Sequence, residues 1–323
     1  MNSLILGLLA ETSIHPGAGQ SAGFLDLPVA REAATDYPVI VGSSMKGALL
    51  DMAYQSARCA ALAEGKSDDE AKKIARAKVE AIFGKQDNAG TLLVSDARLI
   101  LLPVRSLKTQ YKWVTCPHLI ERLSRDRARE NCLTATPTAC APGVDSLTTL
   151  RSCLTATTES NPKYLGADDG ELFLEERQFS RATPQGDLPE GLIELVRGLI
   201  PDQPHYQSTR DRIASQLVVI SNDDFVWFAR YGLAVNARNK LDETKKTSKN
   251  LWYEETIPPD ALFYCLLAQR NDKAVVENDD ALMVARKLFE CRPYLQVGGN
   301  ETVGQGWFAV ALPKADQANG GAA

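Results

Sequence analysis

The chain has 323 residues, of which 44% are hydrophobic and 24% charged, a balance typical of folded globular proteins and not of disordered ones. Its net charge of −5 argues against free, nonspecific binding to nucleic acid, which depends on clustered Lys and Arg. The net charge does not exclude a protein that meets RNA on one face within an assembly, because backbone N–H groups can hold phosphates without a formal charge.

Cysteine and histidine usage excludes further classes. The seven cysteines form no CxxC pair and the three histidines have no metal-ligand spacing, so we expect reduced thiols, no disulfide framework and no structural zinc.

No run of about 18 apolar residues occurs, and the N-terminus lacks the basic region and cleavage site of a signal peptide. The sequence therefore predicts a cytoplasmic protein with no membrane partner.

The N-terminal part alternates apolar runs with glycine-rich turns. Residues 3–9 predict a buried strand, and the glycine-rich stretch after His15 predicts a loop. A short apolar run at residues 39–41 then leads through Gly42 and two serines into a helical pattern that starts near Met45.

The middle of the chain begins with regular elements and then loses periodicity. Residues 67–84 have the acidic start and glycine end of a capped helix, residues 91–104 favour a strand or strand pair, and residues 117–130 favour an Arg-rich helix. Residues 131–169 are dominated by Thr, Ala, Ser, Pro and Gly, which predicts an irregular, surface-exposed insertion.

The C-terminal part mixes helix and strand signals around one polar excursion. Residues 236–257 are polar and Lys-rich between apolar segments, which is typical of a protruding β-hairpin or of a loop that orders on binding. A helix over residues 279–290, two strands around a glycine-rich loop and a frayed tail at residues 314–323 complete the chain. The irregular alternation of elements favours an α+β fold over a doubly wound sheet.

The first candidate for chemistry is the loop that runs from His15 to Asp26, an isolated carboxylate just before Leu27 and Pro28. Such an aspartate is most often a turn residue. The alternative is a catalytic or metal-binding carboxylate on a loop that a rigid scaffold positions.

The second candidate is the turn from Gly42 to Gly47 at the start of a helix. Free N–H groups and the helix dipole favour an anion there, and Lys46 in the first turn suits a phosphate. The plainer interpretation is an N-cap serine with a solvated lysine. No Walker motif is present, so a nucleic-acid backbone competes with a mononucleotide as the ligand.

Two further segments are weaker signals when taken singly. The glycine-rich stretch at residues 298–306 is either an ordinary hairpin turn or a place where another backbone approaches closely. The lysines of the predicted hairpin form either a solvated loop or a binding surface, and they are Lys240, Lys245, Lys246 and Lys249.

Together these segments resemble the RAMP superfamily, and within it the backbone subunit of type III-B, or Cmr, CRISPR effectors. The similar blocks appear in family order and span nearly the whole chain: HPGAGQSAGFLDLPVARE, YPVIVGSSMKGALLD, VSDARLILLPVRSLKTQYKWVTCP, LWYEETIPPDALFY and QVGGNETVGQGWFAV. The irregular insertion and the tail carry no resemblance.

The resemblance implies one RAMP domain with three parts. It would have a ferredoxin-like or RRM-like palm over about residues 1–50, 90–115 and 200–315, helical fingers over about 51–89, and a protruding thumb β-hairpin over about 236–257.

The resemblance also implies an activity. The protein would hold guide RNA, stack head to tail with further copies of itself and with other Cmr subunits, and cleave complementary target RNA at regular intervals in antiviral defence. Asp26 matches the family's cleaving aspartate, which needs a divalent metal such as Mg²⁺ or Mn²⁺. It would bind that metal or position the ribose 2′-hydroxyl for in-line attack. His15 would assist as a proton donor or an RNA contact.

The RNA-binding residues that the resemblance implies fall on three segments. They are Arg31, Ser43, Ser44 and Lys46 near the first helix, Gly298, Gly299, Gly304 and Gly306 in the glycine-rich loop, and Lys245 and Lys246 on the hairpin. Two other functions stay open: a noncatalytic RNA-binding scaffold of the same kind of complex, and a nuclease that matures precursor guide RNA, which normally needs a general base such as histidine.

Overall fold

The computed structural model of the chain describes residues 3–19, 25–133, 162–182, 186–270 and 281–312. The predicted tail, residues 134–161 of the predicted insertion and residues 20–24 of the predicted glycine-rich loop lie outside this range.

The described residues form seven α-helices and fifteen β-strands. The helices are α1 (Gly42–Ala63), α2 (Asp68–Phe83), α3 (Pro117–Leu133), α4 (Glu190–Arg197), α5 (Gln207–Gln216), α6 (Asn222–Tyr231) and α7 (Ala281–Cys291). The strands are β1 (Ser3–Ala10), β2 (Val39–Ile40), β3 (Gly84–Lys85), β4 (Asn88–Ala89), β5 (Leu92–Arg105), β6 (Tyr111–Thr115), β7 (Lys163–Gly166), β8 (Glu171–Leu174), β9 (Arg177–Arg181), β10 (Leu217–Ile220), β11 (Ala234–Leu241), β12 (Ser248–Thr256), β13 (Leu262–Gln269), β14 (Tyr294–Gln296) and β15 (Trp307–Ala311). The predicted α+β class is confirmed.

One mixed sheet of 11 strands is the scaffold of the molecule. Its strand order is β14-β15-β1-β13-β5-β6-β10-β7-β9-β8, and β2 pairs with β5 off this path. The pairings from β14 to β6 are antiparallel. The pairs β6–β10 and β7–β9 are parallel. Elements from both ends of the chain therefore meet near one edge of the sheet, where β1 pairs with β15.

Strand β1 lies in the core because almost every residue in it is apolar, and all eight are buried. A run without polar alternation is typical of a strand that is covered on both faces. Helix α3 packs against β1 and β5. At Gly7 a β-carbon would lie 2.0 Å from the Leu199 carbonyl oxygen, so only glycine lets the segment after α4 reach this strand.

Helix α2 shows local sequence signals at both ends. Ser67 is the N-cap and forms a capping box with Glu70, and Gly84 ends the helix with a φ of 85°. These contacts satisfy terminal N–H and C=O groups as the sequence predicts. Helix α1 packs against α2 and begins at Gly42, three residues before the predicted Met45, because Val41 takes the extended N-cap conformation.

One boundary of the predicted insertion is wrong. Residues 163–166 form the fully buried strand β7 instead of an exposed irregular segment, and this strand pairs with β10 and β9. The strand is only four residues long, too short for periodicity to reveal, and its burial comes from partners more than 10 residues away in sequence.

A buried ion pair lies beside this strand. Lys112 Nζ is 2.6 Å from Asp168 Oδ2, with 2% and 15% of the two side chains exposed. Lys112 also donates to the Ser215 carbonyl oxygen at 3.0 Å. The pair joins β6 to the segment that follows β7, and it therefore links the strands from β14 to β6 with the strands around β7.

The Lys-rich excursion is a β-hairpin, the first of the two predicted alternatives. Its strands β11 and β12 pair only with each other in a separate two-stranded sheet. Most of its residues are exposed, and burial begins at Glu254 near its base. No helix in the described part of the chain is long and apolar enough to cross a membrane.

Candidate nucleic-acid interface and cleavage site

Asp26 is fixed to the hairpin by hydrogen bonds. Its exposed carboxylate accepts from the Tyr253 N–H of β12 at 2.8 Å. The next residue, Leu27, donates its N–H to the Tyr253 carbonyl at 3.1 Å and accepts from the Glu255 N–H at 3.0 Å. Because of this parallel bridge to β12, the carboxylate is oriented by a strand and is not part of an unrestrained loop.

His15 is buried and bound to the same strand. Its Nδ1 lies 2.8 Å from the Glu255 carbonyl oxygen, which can only accept, so Nδ1 carries the hydrogen. In the neutral imidazole Nε2 is then the acceptor, and it lies 3.3 Å from the position of a β-carbon on Gly17. Nε2 is therefore the atom left for chemistry, and it donates a proton only from the imidazolium form. The β12 contacts of His15 and Asp26 are two residues apart.

The glycine-rich loop packs on the His15 segment. Gly299 N–H donates to the His15 carbonyl at 2.9 Å. A β-carbon on Gly298, whose φ is 104°, would lie 2.9 Å from that same oxygen, and one on Gly306 would lie 2.4 Å from the Val297 carbonyl oxygen. Internal packing thus accounts for these glycines, whereas Gly304 has a φ of 80° with nothing near it.

Asn300 connects this loop to the hairpin. It adopts a left-handed conformation with a φ of 63°, which Asn tolerates better than most residues. Its side-chain amide donates to the carboxylate of Glu254, a buried residue that also lies near Arg238. The glycine-rich loop, the His15 segment and the base of the hairpin therefore form one continuous contact region.

The start of α1 differs from the predicted anion site in one respect. The Gly42 N–H donates to the Asp96 carboxylate at 2.7 Å, so a protein carboxylate already occupies the first free amide and offsets the helix dipole. Ser43 and Ser44 are exposed and Lys46 is half-buried. No carboxylate among the described residues forms an ion pair with Lys46, which leaves the serine hydroxyls and this ammonium for a ligand.

A groove of about 480 Å³ lies between α1, the His15 segment and the glycine-rich loop. It brings together residues that are far apart in sequence, among them Gly17, Ser44, Gly47, Arg292, Gly298 and Gly299. Asp26, His15, Lys46 and the hairpin lysines are not among its lining residues. The predicted site residues therefore do not share one site: some line the groove, His15 and Asp26 contact the base of the hairpin, and Lys245 and Lys246 lie at its tip.

Sequence reasoning missed Arg292, which among the described residues is the only Lys or Arg side chain that lines this groove. It directly follows α7, where a cation would be expected simply to complement a helix C-terminus. Asp51 and Glu301 also line the groove, so its surface is mixed in charge and offers hydrogen-bond acceptors as well as a cation.

Arg31 does not extend into the groove. Its guanidinium donates to Glu255 Oε1 at 2.6 Å, to the Ala229 carbonyl at 2.6 Å and to the Asp36 carbonyl at 3.0 Å. Three internal acceptors occupy the guanidinium group to which the resemblance assigns RNA binding. Its position indicates a brace between segments instead of a free phosphate ligand.

Lys245 and Lys246 lie at the exposed tip of the hairpin, away from the groove. The turn is ordered by Asp242, whose carboxylate accepts from the Lys245 N–H at 2.9 Å. This backbone hydrogen bond, with those from Thr244, lowers the pKa of Asp242 below its ordinary value. The side chains of both lysines therefore extend into solvent from a fixed turn.

The donor set limits what kind of metal the site could take. Within the described residues no group of three or more His, Cys, Asp or Glu side chains could hold a metal ion. Asp26 supplies one carboxylate that is exposed and held by a single hydrogen bond. This fits a Mg²⁺-type ion that takes most of its oxygens from substrate phosphates and water, and does not fit an all-protein cage.

Comparison with known proteins gives consistent matches over the full length. The sequence profile of the RAMP superfamily matches residues 8–309. The CRISPR system Cmr endoribonuclease Cmr4 of Pyrococcus furiosus is 32% identical over 99% of both chains. The CRISPR system CMR subunit Cmr4 of Saccharolobus solfataricus is 25% identical over 92% of both.

Solved structures agree in fold. Oligomeric Cmr4 from Pyrococcus furiosus superposes with a TM-score of 0.61 at 24% identity, covering 97% of this chain and 98% of that one. A chain of the type III-B Cmr-beta complex bound to cognate target RNA gives a TM-score of 0.66 at 20% identity, covering 96% and 97%.

Proposed function

Because the chain belongs to the RAMP superfamily, and within it to the Cmr4 family of type III-B CRISPR subunits, we propose that it is a guide-RNA-binding backbone subunit that cleaves complementary target RNA. It would act in the cytoplasm in an assembled complex, stacked head to tail with further copies of itself and beside other Cmr subunits. The observation that carries the proposal is the exposed Asp26 carboxylate, oriented by β12 at the base of a protruding hairpin.

The architecture supports a division into palm, fingers and thumb. The chain order β1–α1–β5–β13–α7–β15 and the sheet order β15-β1-β13-β5 are those of a ferredoxin-like βαββαβ unit. We interpret this unit as the palm, the α1–α2 pair as the fingers and the β11–β12 hairpin as the thumb.

The groove is the proposed path of the guide. Arg292 and the hydroxyl of Ser44 offer donors to phosphates, Lys46 lies on the same helix, and Gly17, Gly298 and Gly299 keep side chains out of the groove. Because contacts to phosphate carry no sequence information, such a groove would accept a guide of any sequence.

The cleavage chemistry is proposed for the base of the thumb. Asp26 would orient the ribose 2′-hydroxyl of the target for in-line attack on the adjacent phosphorus, with the 2′-oxygen forming the new bond as the bond to the 5′-oxygen breaks. The 2′-hydroxyl proton would pass to His15 Nε2 or to water, and the departing 5′-oxygen would take a proton from the imidazolium so formed or from water. A divalent ion, Mg²⁺ or Mn²⁺, held by Asp26 with phosphate oxygens and water, would stabilise the charge that develops.

The test compares wild type with Asp26→Asn in the reconstituted complex, on a labelled RNA complementary to the guide. Asn keeps an oxygen for the Tyr253 N–H but loses the charge, so we expect target affinity within about twofold and cleavage slower by about 10²-fold or more. Asp87→Asn, in the exposed β3–β4 turn, is the matched control. Chelation of divalent ions should stop the wild-type reaction.

The outcomes separate the alternatives. Regularly spaced products that disappear only in Asp26→Asn support cleavage by this subunit. Equal products from both variants would assign the chemistry to another subunit and leave this chain as a scaffold.

A further inference from the structure

The hairpin and Asp26 depend on a small contact area for their orientation. A two-stranded hairpin is marginally stable by itself, and β11 and β12 pair with no strand of the main sheet. Asp26 is hydrogen-bonded to Tyr253 of this hairpin. The direction of the carboxylate relative to the palm therefore depends on where β12 enters the body of the protein, together with the bridge between Val29 and Gly17.

Glu255 is the residue of β12 that makes the densest contacts at this entry point. Its carboxylate accepts from Arg31 Nη2 at 2.6 Å through one oxygen and from the Val29 N–H at 3.0 Å through the other. Its backbone carbonyl accepts from His15. The side chain is only 6% exposed, so its charge is compensated within the protein.

Arg31 extends these contacts to two further segments. Its guanidinium donates to the carbonyl oxygen of Ala229 in α6. It also donates to the carbonyl oxygen of Asp36, which lies in the turn that follows Arg31 itself. Asp26, Val29 and Arg31 belong to one short segment, and that segment is held at Asp26 by Tyr253 and at the other two positions by Glu255. The Arg31–Glu255 ion pair thus joins three parts of the molecule: the hairpin, α6 and the segment over residues 26–31.

We propose that the Arg31–Glu255 pair is the positioning element of the cleavage site: it fixes the hairpin and Asp26 as one unit against the palm. This inference rests on the proposed function, and it assigns Arg31 to positioning instead of RNA binding. Neither residue touches the reacting atoms. Their loss would misplace Asp26 without removing it.

Glu255→Gln and Arg31→Lys test this in the reconstituted complex. Gln has one acceptor oxygen and one NH₂ group in place of the two acceptor oxygens that Arg31 and the Val29 N–H contact. Lys keeps the positive charge but replaces the planar guanidinium, which binds several acceptors at once, with a single ammonium group. Asp68→Asn is the matched control, because it removes a more exposed ion pair, with Arg58 of α1, that shares no residue with these contacts.

Four quantities are measured: the amount of assembled complex, target affinity, single-turnover cleavage rate at saturating target, and hydrogen exchange of residues 25–31. We expect Glu255→Gln to bind target within about twofold and to cleave about 10²-fold more slowly, as displacement of a reacting group by about 1 Å can do. Products shifted by one nucleotide should appear, and residues 27–31 should exchange faster. Arg31→Lys should behave likewise and Glu255→Asp should be intermediate.

Other outcomes overturn the proposal. Wild-type rate and product pattern in Glu255→Gln would do so, as would faster exchange without slower cleavage. If neither variant assembles, the pair is a folding element and the positioning role is rejected. If Asp26→Asn cuts normally, the proposed function fails, and the exchange measurement still decides whether the pair restrains the segment.

Discussion

Gly47 lies on the exposed side of α1, and no atom lies within 4 Å of the position that a β-carbon would occupy there. It also lines the groove. Folding and binding therefore make opposite demands on this residue, because a methyl group fits the helix but projects into the space proposed for RNA.

Gly47→Ala should raise stability and weaken guide binding together. Replacing a mid-helix glycine by alanine stabilises by about 0.5–1 kcal/mol, whereas a methyl group in the groove should lower guide affinity by up to about tenfold, or about 1.4 kcal/mol. Thermal unfolding and filter binding measure the two effects. Gly191→Ala is the control, since that position in α4 is equally open but lies outside the groove. Unchanged affinity in Gly47→Ala would place the guide elsewhere.

Single residues show where sequence reasoning stopped. Asp26, His15 and the serines of α1 were singled out from local patterns. The partners of these segments could not be, because Tyr253 lies 227 residues from Asp26, Glu255 lies 224 from Arg31 and Asp96 lies 54 from Gly42. A charged residue near a glycine-rich loop looks the same in sequence whether it meets a phosphate or a buried carboxylate.

The hairpin is the element that separates the exposed lysines from the Asp26 carboxylate. Its lysines are at the tip, while Asp26 is bound near the base at Tyr253. Contacts of the tip with RNA phosphates would contribute to affinity in a salt-dependent way, and they should not affect the geometry at the base.

Changing both Lys245 and Lys246 to Gln should weaken target binding without slowing cleavage at saturation. Each lost phosphate contact lowers the slope of log affinity against log salt by about 0.7 for a single strand, so the double variant should lose about 1.4. Binding titrations at several salt concentrations measure this. Lys85→Gln, at an exposed position in β3, is the control. An unaltered slope would contradict the assignment of these lysines to RNA.

Elements were predictable where their determinants are local. The bounds of α2 follow from Ser67, Glu70 and Gly84, all within or beside the helix. Strand β7 was missed because only its pairing with β10 and β9 distinguishes four residues from an irregular segment. The hairpin was one of two alternatives, since pairing of β11 with β12 and disorder until binding are compatible with the same polar sequence.

The whole molecule is connected through one sheet that runs from β14 to β8. The strands from β14 to β6 and the strands around β7 share this sheet, and the buried pair of Lys112 and Asp168 crosses between them. We therefore expect the described part of the chain to unfold as a single cooperative unit.

Lys112→Met should destabilise the protein by about 3–5 kcal/mol, because it leaves Asp168 as an uncompensated, mostly buried charge. Denaturant unfolding measures the loss and also shows whether one transition is retained. Arg105→Gln is the control: that side chain is 82% exposed in its pair with Glu175, so about 0–1 kcal/mol is expected. A similar small loss in both variants would mean that the buried pair does not connect the two parts of the sheet.

The backbone origin of the Asp26 restraint bears on how this protein can vary and be engineered. The Tyr253 N–H holds the Asp26 carboxylate, and the N–H and C=O groups of Leu27 hold the adjacent backbone against β12. Every residue except proline provides both of these backbone groups. Mutation can therefore alter the exposed side chains of the hairpin, and its tip can be lengthened or exchanged, while the carboxylate keeps its place. Under the proposed function, contacts to RNA at the tip would then diverge among variants of this chain without a change in the position of the Asp26 carboxylate.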